Sequence, residues 1–139
     1  MESEIFGFAF DALYRRPLWL LGITPESSGV VVVGGLVRVR FGPWKVETEL
    51  SNIEKTAITG PYSAAKAIGV RISAADRGLT FGTNVSEGLC LSFQRPVRGG
   101  EPAGLIRHPA LTVTVADPQS LAERLDRTSG TKPCRSRGE

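Results

Sequence analysis

The clearest pattern in the sequence lies between residues 30 and 50, where a continuous apolar run gives way to strict alternation. Residues 30–33 are all valine, and β-branched side chains favour a pleated, half-buried strand over a helix. The glycines at positions 34 and 35 supply the positive φ angles of a two-residue hairpin turn. Apolar and polar positions then alternate in residues 36–41, which predicts a strand with one face in water.

A second turn follows at Gly42-Pro43, because a proline has no N–H to donate to a strand ladder. Alternation resumes in residues 44–50, so a third antiparallel strand is expected there. Its polar positions are acidic where those of the preceding strand are basic. We therefore expect opposite charges to meet across the two strands, with Arg38 and Arg40 opposite Glu47 and Glu49.

The remaining patterns are shorter and predict further strands with a few helical turns. An alternating aromatic segment over residues 6–10 precedes two short helical turns, with Pro17 near the start of the second. Their apolar anchors are Leu13, Leu18, Trp19 and Leu21. The alanine-rich residues 62–68 predict a two-turn helix. Residues 94–109 are rich in Gly, Pro and Arg and are interpreted as a long loop.

The end of the chain has the most regular pattern. Residues 110–116 alternate strictly, so Leu111, Val113 and Val115 are expected to face inward, with Thr112 and Thr114 outward. Asp117 and Pro118 then suit the N-cap and first position of a helix whose apolar edge must be covered. Short strands at regular spacing, followed by this helix, predict a mainly β fold. We expect an antiparallel, partly open barrel or sandwich of about seven strands, capped by the C-terminal helix.

Several motifs resemble those of known proteins. The stretch LVRVRFGPWKVETELSNI, residues 36–53, resembles the opening hairpin of bacterial pleckstrin-homology-like domains. The resemblance to an uncharacterised family of small actinobacterial proteins covers about residues 5–126 and implies a pleckstrin-homology-like fold, but no settled activity. The motifs that carry it are FGPW (41–44), TGPY (59–62), KAIG (66–69), ADRGLTFGTN (75–84), RHP (107–109) and LTVTVADP (111–118).

One departure from the wider superfamily concerns lipid recognition. Phosphoinositide-binding members use a basic residue on the first strand and a basic-x-Arg pattern on the second. Arg38-Val39-Arg40 matches the second part, whereas residues 30–33 carry no basic residue. The Gly34-Gly35 turn also leaves little loop to hold a headgroup, so the resemblance does not extend to that lipid site.

Charge and cysteine content narrow the class of protein. The chain of 139 residues fits a single domain, which we place at residues 1–126. Its net charge of +3 resides in residues 127–139, which we expect to be a disordered basic tail. The neutral body argues against nucleic-acid binding through it, although the tail itself leaves that possibility open. Cys90 and Cys134 lack a metal-binding spacing, and no metal or cofactor is predicted.

The predicted location is the cytoplasm. The N-terminal residues do not form a secretory signal, and no apolar run approaches the length of a membrane span. Reduced thiols are consistent with that compartment. An exposed strand edge makes a homodimer possible.

Chemistry-bearing residues are scattered. His108 is the only histidine, and a lone histidine is more often a structural hydrogen-bond partner than a general base. Asp76-Arg77-Gly78 suits a hairpin turn better than a ligand-facing guanidinium, because Gly78 serves the turn directly. Gly60-Pro61-Tyr62 is either an anion site at a helix start or a strand-to-helix connection. No nucleotide-binding, zinc-protease or nucleophile-elbow motif occurs.

The leading hypothesis is a non-catalytic binding or scaffold module that recognises a small ligand or a protein. Unusual polar and aromatic residues fall in the connections around residues 41–44, 62–69 and 95–109, where a groove is expected. The alternative is a small-molecule carrier or small enzyme with its ligand inside a barrel. The expected ligand-binding residues are Trp44, Tyr62, Lys66, Arg77, Arg107 and His108.

Overall fold

The computed structural model describes residues 3–62, 68–72, 78–99, 107–129 and 132–133. Two helices lie within these ranges, α1 (Ala12–Leu20) and α2 (Pro118–Ser129). Short 3₁₀ turns occur at Pro25–Ser27 and Leu50–Asn52. The predicted helix over residues 62–68 falls mostly outside the described residues.

Four strands form the first sheet: β1 (Ser3–Phe6), β2 (Ser28–Val33), β3 (Leu36–Phe41) and β4 (Trp44–Glu49). They follow one another in space as β1-β2-β3-β4, and every pairing is antiparallel. Both predicted turns of the 30–50 segment are confirmed, although only Gly34 of the Gly34-Gly35 pair has the expected positive φ, at 62°. Val37, Val39 and Phe41 are buried on the inner face while Arg38 and Arg40 point to water, as the alternation predicts.

The register corrects the predicted charge pairing in part. Arg38 lies opposite Glu47, and its Nε is 2.8 Å from a Glu47 carboxylate oxygen. Arg40, however, lies opposite Lys45, since Glu49 is paired with Leu36. Exposed ion pairs contribute about 0–1 kcal/mol, so this sheet depends on its buried face rather than on its charges.

The second sheet is mixed. Its strands are β5 (Ile53–Thr59), β6 (Gly69–Ile72), β7 (Leu79–Gly82), β8 (Gly88–Arg98), β9 (Arg107–Val113) and β10 (Lys132–Pro133). Their spatial order is β10-β5-β8-β9-β7-β6. The prediction of a mainly β fold is confirmed, but that of an antiparallel barrel or sandwich of about seven strands is wrong in two respects. The pairs β7–β9 and β10–β5 are parallel, and the described residues hold ten strands in two sheets, with no closed barrel.

The predicted loop over residues 94–109 is wrong at both ends, and residues 100–106 lie outside the described part of the chain. β8 continues to Arg98 and β9 begins at Arg107, and the two strands pair again at Val97–His108 and Arg98–Arg107. Pro96 lies in the irregular stretch between the pairs Ser92–Ala110 and Val97–His108, where a missing N–H interrupts no ladder bond.

One hydrophobic core joins the two sheets. Phe41 of β3 stacks on Phe81 of β7 with ring centroids 4.7 Å apart, and Phe8 packs against Phe41 at 5.2 Å. Leu121 and Leu125 of α2 are fully buried in the same core, which confirms the predicted C-terminal helix. The predicted domain boundary at residue 126 falls inside α2, and the pairing of β10 with β5 continues the described structure to Pro133.

Two further expectations are wrong, one about the burial of a side chain and one about the continuity of a helix. Thr114 was expected to point outward, but it is fully buried. Pro17 lies inside α1, which is one continuous helix rather than two short turns.

Candidate functional site

The most distinctive motif residues hold the fold together. Thr83 and Asn84 of the TFGTN segment are buried together with Thr114 of LTVTVADP. The Thr83 backbone N–H donates to Thr114 Oγ1 at 2.8 Å, and the Thr83 hydroxyl donates to the Ala9 carbonyl at 2.6 Å. Asn84 Nδ2 donates to the same carbonyl at 2.8 Å. This network ties the N-terminal segment to the ends of β7 and β9.

In two other motifs, close packing explains why glycine occupies its position. Gly42 of FGPW has φ +59°, and a Cβ at this position would lie 2.9 Å from the Gly22 carbonyl oxygen. Gly60 of TGPY has φ +131°, and a Cβ at this position would lie even closer to the Ser86 carbonyl oxygen. Tyr62 donates its hydroxyl to the Thr59 carbonyl at 2.9 Å, and burial raises the pKa of its phenol. These motifs therefore need no ligand to explain them.

The six residues proposed from the sequence occupy different parts of the molecule. Trp44 is half-buried at the start of β4, Tyr62 follows β5, and Arg107 is exposed at the start of β9. His108 was expected in a loop, but it lies within β9 and is only 1 % exposed. No hydrogen bond, ion pair or ring contact of the described chain joins Trp44, Tyr62 and Arg107. Lys66 and Arg77 lie outside the described residues.

A different surface stands out, on the side of α1 that faces away from the core. Leu13 is 77 % exposed, Trp19 65 % and Leu20 78 %, and Arg15 and Arg16 are exposed among them. We call these five residues the outer α1 face. The sequence had placed Leu13, Trp19 and Leu21 as anchors, but only Leu18 of the predicted set is buried. Large apolar side chains grouped on a surface mark interaction sites.

The inner side of α1 explains why these side chains remain outside. Leu18 is buried and Tyr14, four residues earlier, packs against the core, so this one stripe fixes the helix on the domain. The helix carries more apolar residues than a stripe of that width can bury. A local signal was available: Leu13 and Leu20 are seven residues apart, on the face opposite to the Tyr14–Leu18 pair.

The C-terminal end of α1 is held rigidly. The Ile23 N–H donates to the Leu18 carbonyl at 2.9 Å, and the Gly22 N–H to the Trp19 carbonyl at 2.9 Å. In the following 3₁₀ turn Thr24 and Ser27 cap each other, and the Ser27 hydroxyl donates to the Gly22 carbonyl at 2.8 Å. The wall next to Trp19 is thus ordered before any ligand arrives.

Two hollows flank Trp19. The larger has a volume of about 500 Å³ and is lined by Arg15, Arg16, Trp19 and Leu20. The smaller, of about 250 Å³, is lined by Arg15, Trp19, Ile23, Thr24, Pro25 and Glu26. Arg15 and Trp19 border both, so this pair, one helical turn apart, forms the ridge between the two hollows.

The charges around the ridge are unequal. Arg15 and Arg16 lie at the larger hollow, and α1 contains no acidic residue. Glu26 lies at the smaller hollow. None of these three side chains forms an ion pair within the described part of the chain, so all three charges face solvent.

The described residues show no metal site, since no group of three or more His, Cys, Asp or Glu side chains is placed to hold an ion. No helix in the described ranges is long and apolar enough to cross a membrane. Together these features define a mainly β domain of two sheets and a C-terminal helix, with an exposed apolar and basic helix face. Comparison with protein-family models, with curated proteins and with solved structures gives no match.

Proposed function

We propose that the protein is a non-catalytic binding module whose recognition surface is the outer α1 face. The observation that carries the proposal is the exposure of Trp19, Leu13 and Leu20 on a helix already fixed to the core by its other side. Burying a large apolar side chain stabilises a protein or a complex by about 1.5–3 kcal/mol. Because these three side chains remain exposed, they contribute little of that free energy to folding.

The occupant we propose is an apolar segment of a protein partner that carries acidic residues. Charge complementarity supports this choice, because Arg15 and Arg16 lie beside the apolar side chains and α1 offers them no acid. Trp and Arg are also the residues most enriched among interface hot spots. The same charges disfavour a symmetric dimer through α1, since two copies would bring their arginines together.

Catalysis and internal ligand binding have less support. His108 is enclosed within a strand, and the buried polar side chains of Thr83, Asn84 and Thr114 bond to each other and to the backbone. A carrier or enzyme requires polar groups that converge on a cavity. The core between the sheets is instead occupied by large side chains such as Phe41 and Phe81.

We also propose that the domain is a pleckstrin-homology-like module of the cytoplasm. The supporting features are the initial antiparallel sheet, the second sheet packed on it and the C-terminal helix whose leucines enter the shared core. The parallel β7–β9 pairing departs from the all-antiparallel layout. The binding proposal does not depend on this assignment.

Site-specific photo-crosslinking followed by affinity measurement tests the binding proposal. A photoreactive amino acid at Leu20 is expected to capture the partner, whereas the same group at exposed Lys55 on β5 is not. The captured protein is then purified and titrated with the wild-type and variant proteins. Because hot-spot truncations cost 2 kcal/mol or more, Trp19→Ala should weaken binding by about thirtyfold.

Two controls separate recognition from folding. Lys55→Ala should leave the affinity unchanged, and Trp19→Ala should unfold at nearly the wild-type urea concentration, because exposed substitutions change stability by about 0.5 kcal/mol or less. Charge reversal of Arg15 and Arg16 should weaken binding, most strongly at low salt. Unchanged affinity of the Trp19→Ala protein for the captured partner would refute the proposal, as would binding to anionic vesicles in place of a protein.

A further inference from the structure

The two hollows beside Trp19 differ in charge, so the surface can distinguish the two ends of a bound segment. The larger hollow lies between the ridge of Arg15 and Trp19 and the parallel row of Arg16 and Leu20. It therefore combines apolar walls with two positive charges. The smaller hollow, on the other side of the ridge, has the negative charge of Glu26 beside the positive charge of Arg15, which both hollows share.

We infer that the partner segment crosses the Trp19 ridge in a fixed orientation, with an acidic residue on the side of Arg16 and a basic residue on the side of Glu26. This inference rests on the proposed function and names the chemistry of its partner. Apolar side chains of the segment enter the two hollows. Whether the acidic or the basic residue comes first in the sequence of the segment depends on the direction in which its chain crosses the ridge.

The backbone beside the ridge is held by hydrogen bonds, which suits such recognition. The smaller hollow is walled by the Pro25–Ser27 turn, in which Thr24 Oγ1 accepts from the Ser27 N–H at 3.1 Å and the Thr24 N–H donates to Ser27 Oγ at 2.9 Å. The Gly42 N–H donates to the Ser27 carbonyl at 3.1 Å and joins this turn to the first sheet. A preordered wall loses little conformational entropy when a ligand binds.

The order of charges along the bound segment is also the property by which this surface can discriminate between partners. Apolar hollows discriminate weakly between similar side chains, whereas placing like charges together is strongly unfavourable. Arg16 excludes a basic residue from the larger hollow, and Glu26 excludes an acidic residue from the smaller one. Arg15 borders both hollows and so cannot by itself set the direction.

Selection from a displayed library of random dodecapeptides tests the inference. Peptides are selected on the wild-type protein and counter-selected on Trp19→Ala. The enriched sequences are expected to contain apolar residues flanked by an acid on one side and a base on the other. Synthetic versions with the two charges exchanged should bind at least about tenfold more weakly, as expected for charges placed next to like charges.

A double charge reversal supplies the decisive comparison. The Arg16→Glu/Glu26→Lys protein exchanges the signs at the two hollows without changing the net charge. It should prefer the charge-exchanged peptides, while Lys55→Glu/Glu54→Lys on β5 should keep the wild-type preference. Failure of the double reversal to change the preference overturns the inference.

The outcomes distinguish the two proposals. If Trp19-dependent peptides are enriched but show no order of charges, the outer α1 face binds peptides and only the directional inference fails. If no peptide depends on Trp19, the selection contradicts both proposals.

Discussion

Asn84 offers a direct test of whether the TFGTN motif is structural or ligand-binding. Its side chain is 4 % exposed and makes hydrogen bonds to four backbone groups. Nδ2 donates to the carbonyls of Ala9 at 2.8 Å and Thr114 at 3.2 Å, and Oδ1 accepts from the N–H groups of Ser86 at 3.0 Å and Glu87 at 3.3 Å. We predict that Asn84→Ala destabilises the domain.

The loss in the free energy of unfolding depends on which hydrogen bonds the four partners of Asn84 keep after the substitution. Four hydrogen bonds at about 1 kcal/mol each set an upper value of about 4 kcal/mol. The Ala9 carbonyl still accepts from the Thr83 hydroxyl at 2.6 Å, and the Thr114 carbonyl from the Ala9 N–H at 3.1 Å. Ser86 and Glu87 are exposed, so their N–H groups can bind water. We therefore expect a loss of about 2–3 kcal/mol in the free energy of unfolding.

Asn84→Asp sharpens the test because it keeps the shape of the side chain. The substitution puts a carboxylate oxygen where Nδ2 now donates, facing the two carbonyl oxygens of Ala9 and Thr114. The other carboxylate oxygen keeps the Ser86 and Glu87 N–H donors, but a buried, charged oxygen that faces two acceptors costs several kcal/mol. At neutral pH the Asp variant should therefore be less stable than the Ala variant, although it resembles asparagine more closely.

Urea unfolding followed by circular dichroism measures both variants. Gln94→Ala is the matched control, since it removes an exposed amide from β8 and should change stability by about 0.5 kcal/mol or less. The structural interpretation of the motif is refuted if Asn84→Ala matches this control, or if Asn84→Asp is more stable than Asn84→Ala.

Three further predictions concern the rest of the fold. Hydrogen bonds from the Ser120 hydroxyl, and to a smaller extent from the Ser120 backbone N–H, lower the pKa of Asp117 from its ordinary value of 3.8. The ionised Asp117 therefore stabilises the folded domain above the ordinary pKa, and this stabilisation is lost as the pH falls through the lowered pKa of the folded state. In Asp117→Asn, which keeps the cap, the urea midpoint should lose this acid dependence. A double-mutant cycle of Phe41→Leu and Phe81→Leu should give a coupling of about 0.5–1.5 kcal/mol in urea unfolding, and additivity would contradict a shared core. Gly42→Ala should destabilise by more than about 1 kcal/mol because its backbone is left-handed and crowded, whereas Gly35→Ala, with nothing within 4 Å, should have little effect in the same assay.

Features set by neighbouring residues could be predicted from the sequence. The two turns at Gly34-Gly35 and Gly42-Pro43 follow from backbone restrictions, and the alternation in β3 selects its buried face. The start of α2 is equally local, because Asp117 bonds Ser120 within a single turn.

The spacing of Leu13 and Leu20 shows that they share one face of α1, but it does not show which face of the helix meets the core. None of the six proposed residues belongs to the outer α1 face. Arg15, Arg16 and Leu20 were not singled out, and Leu13 and Trp19 were interpreted as core anchors. An apolar residue in a short helix can face either way, and only the position of the sheets decides that Leu18 turns inward while Trp19 does not.

Burial in the second sheet was likewise a tertiary outcome. Thr114 follows the alternating pattern of an outward residue, but β9 lies between β7 and β8, and the N-terminal segment covers its end through the Ala9 N–H bond to the Thr114 carbonyl. His108 lies in a strand rather than a loop because β8 extends past Pro96 to pair with it. Turns, caps and strand period depend on adjacent residues and can therefore be predicted from the sequence. Which side chains remain in water depends on tertiary packing, because burial requires a second surface from a distant part of the chain.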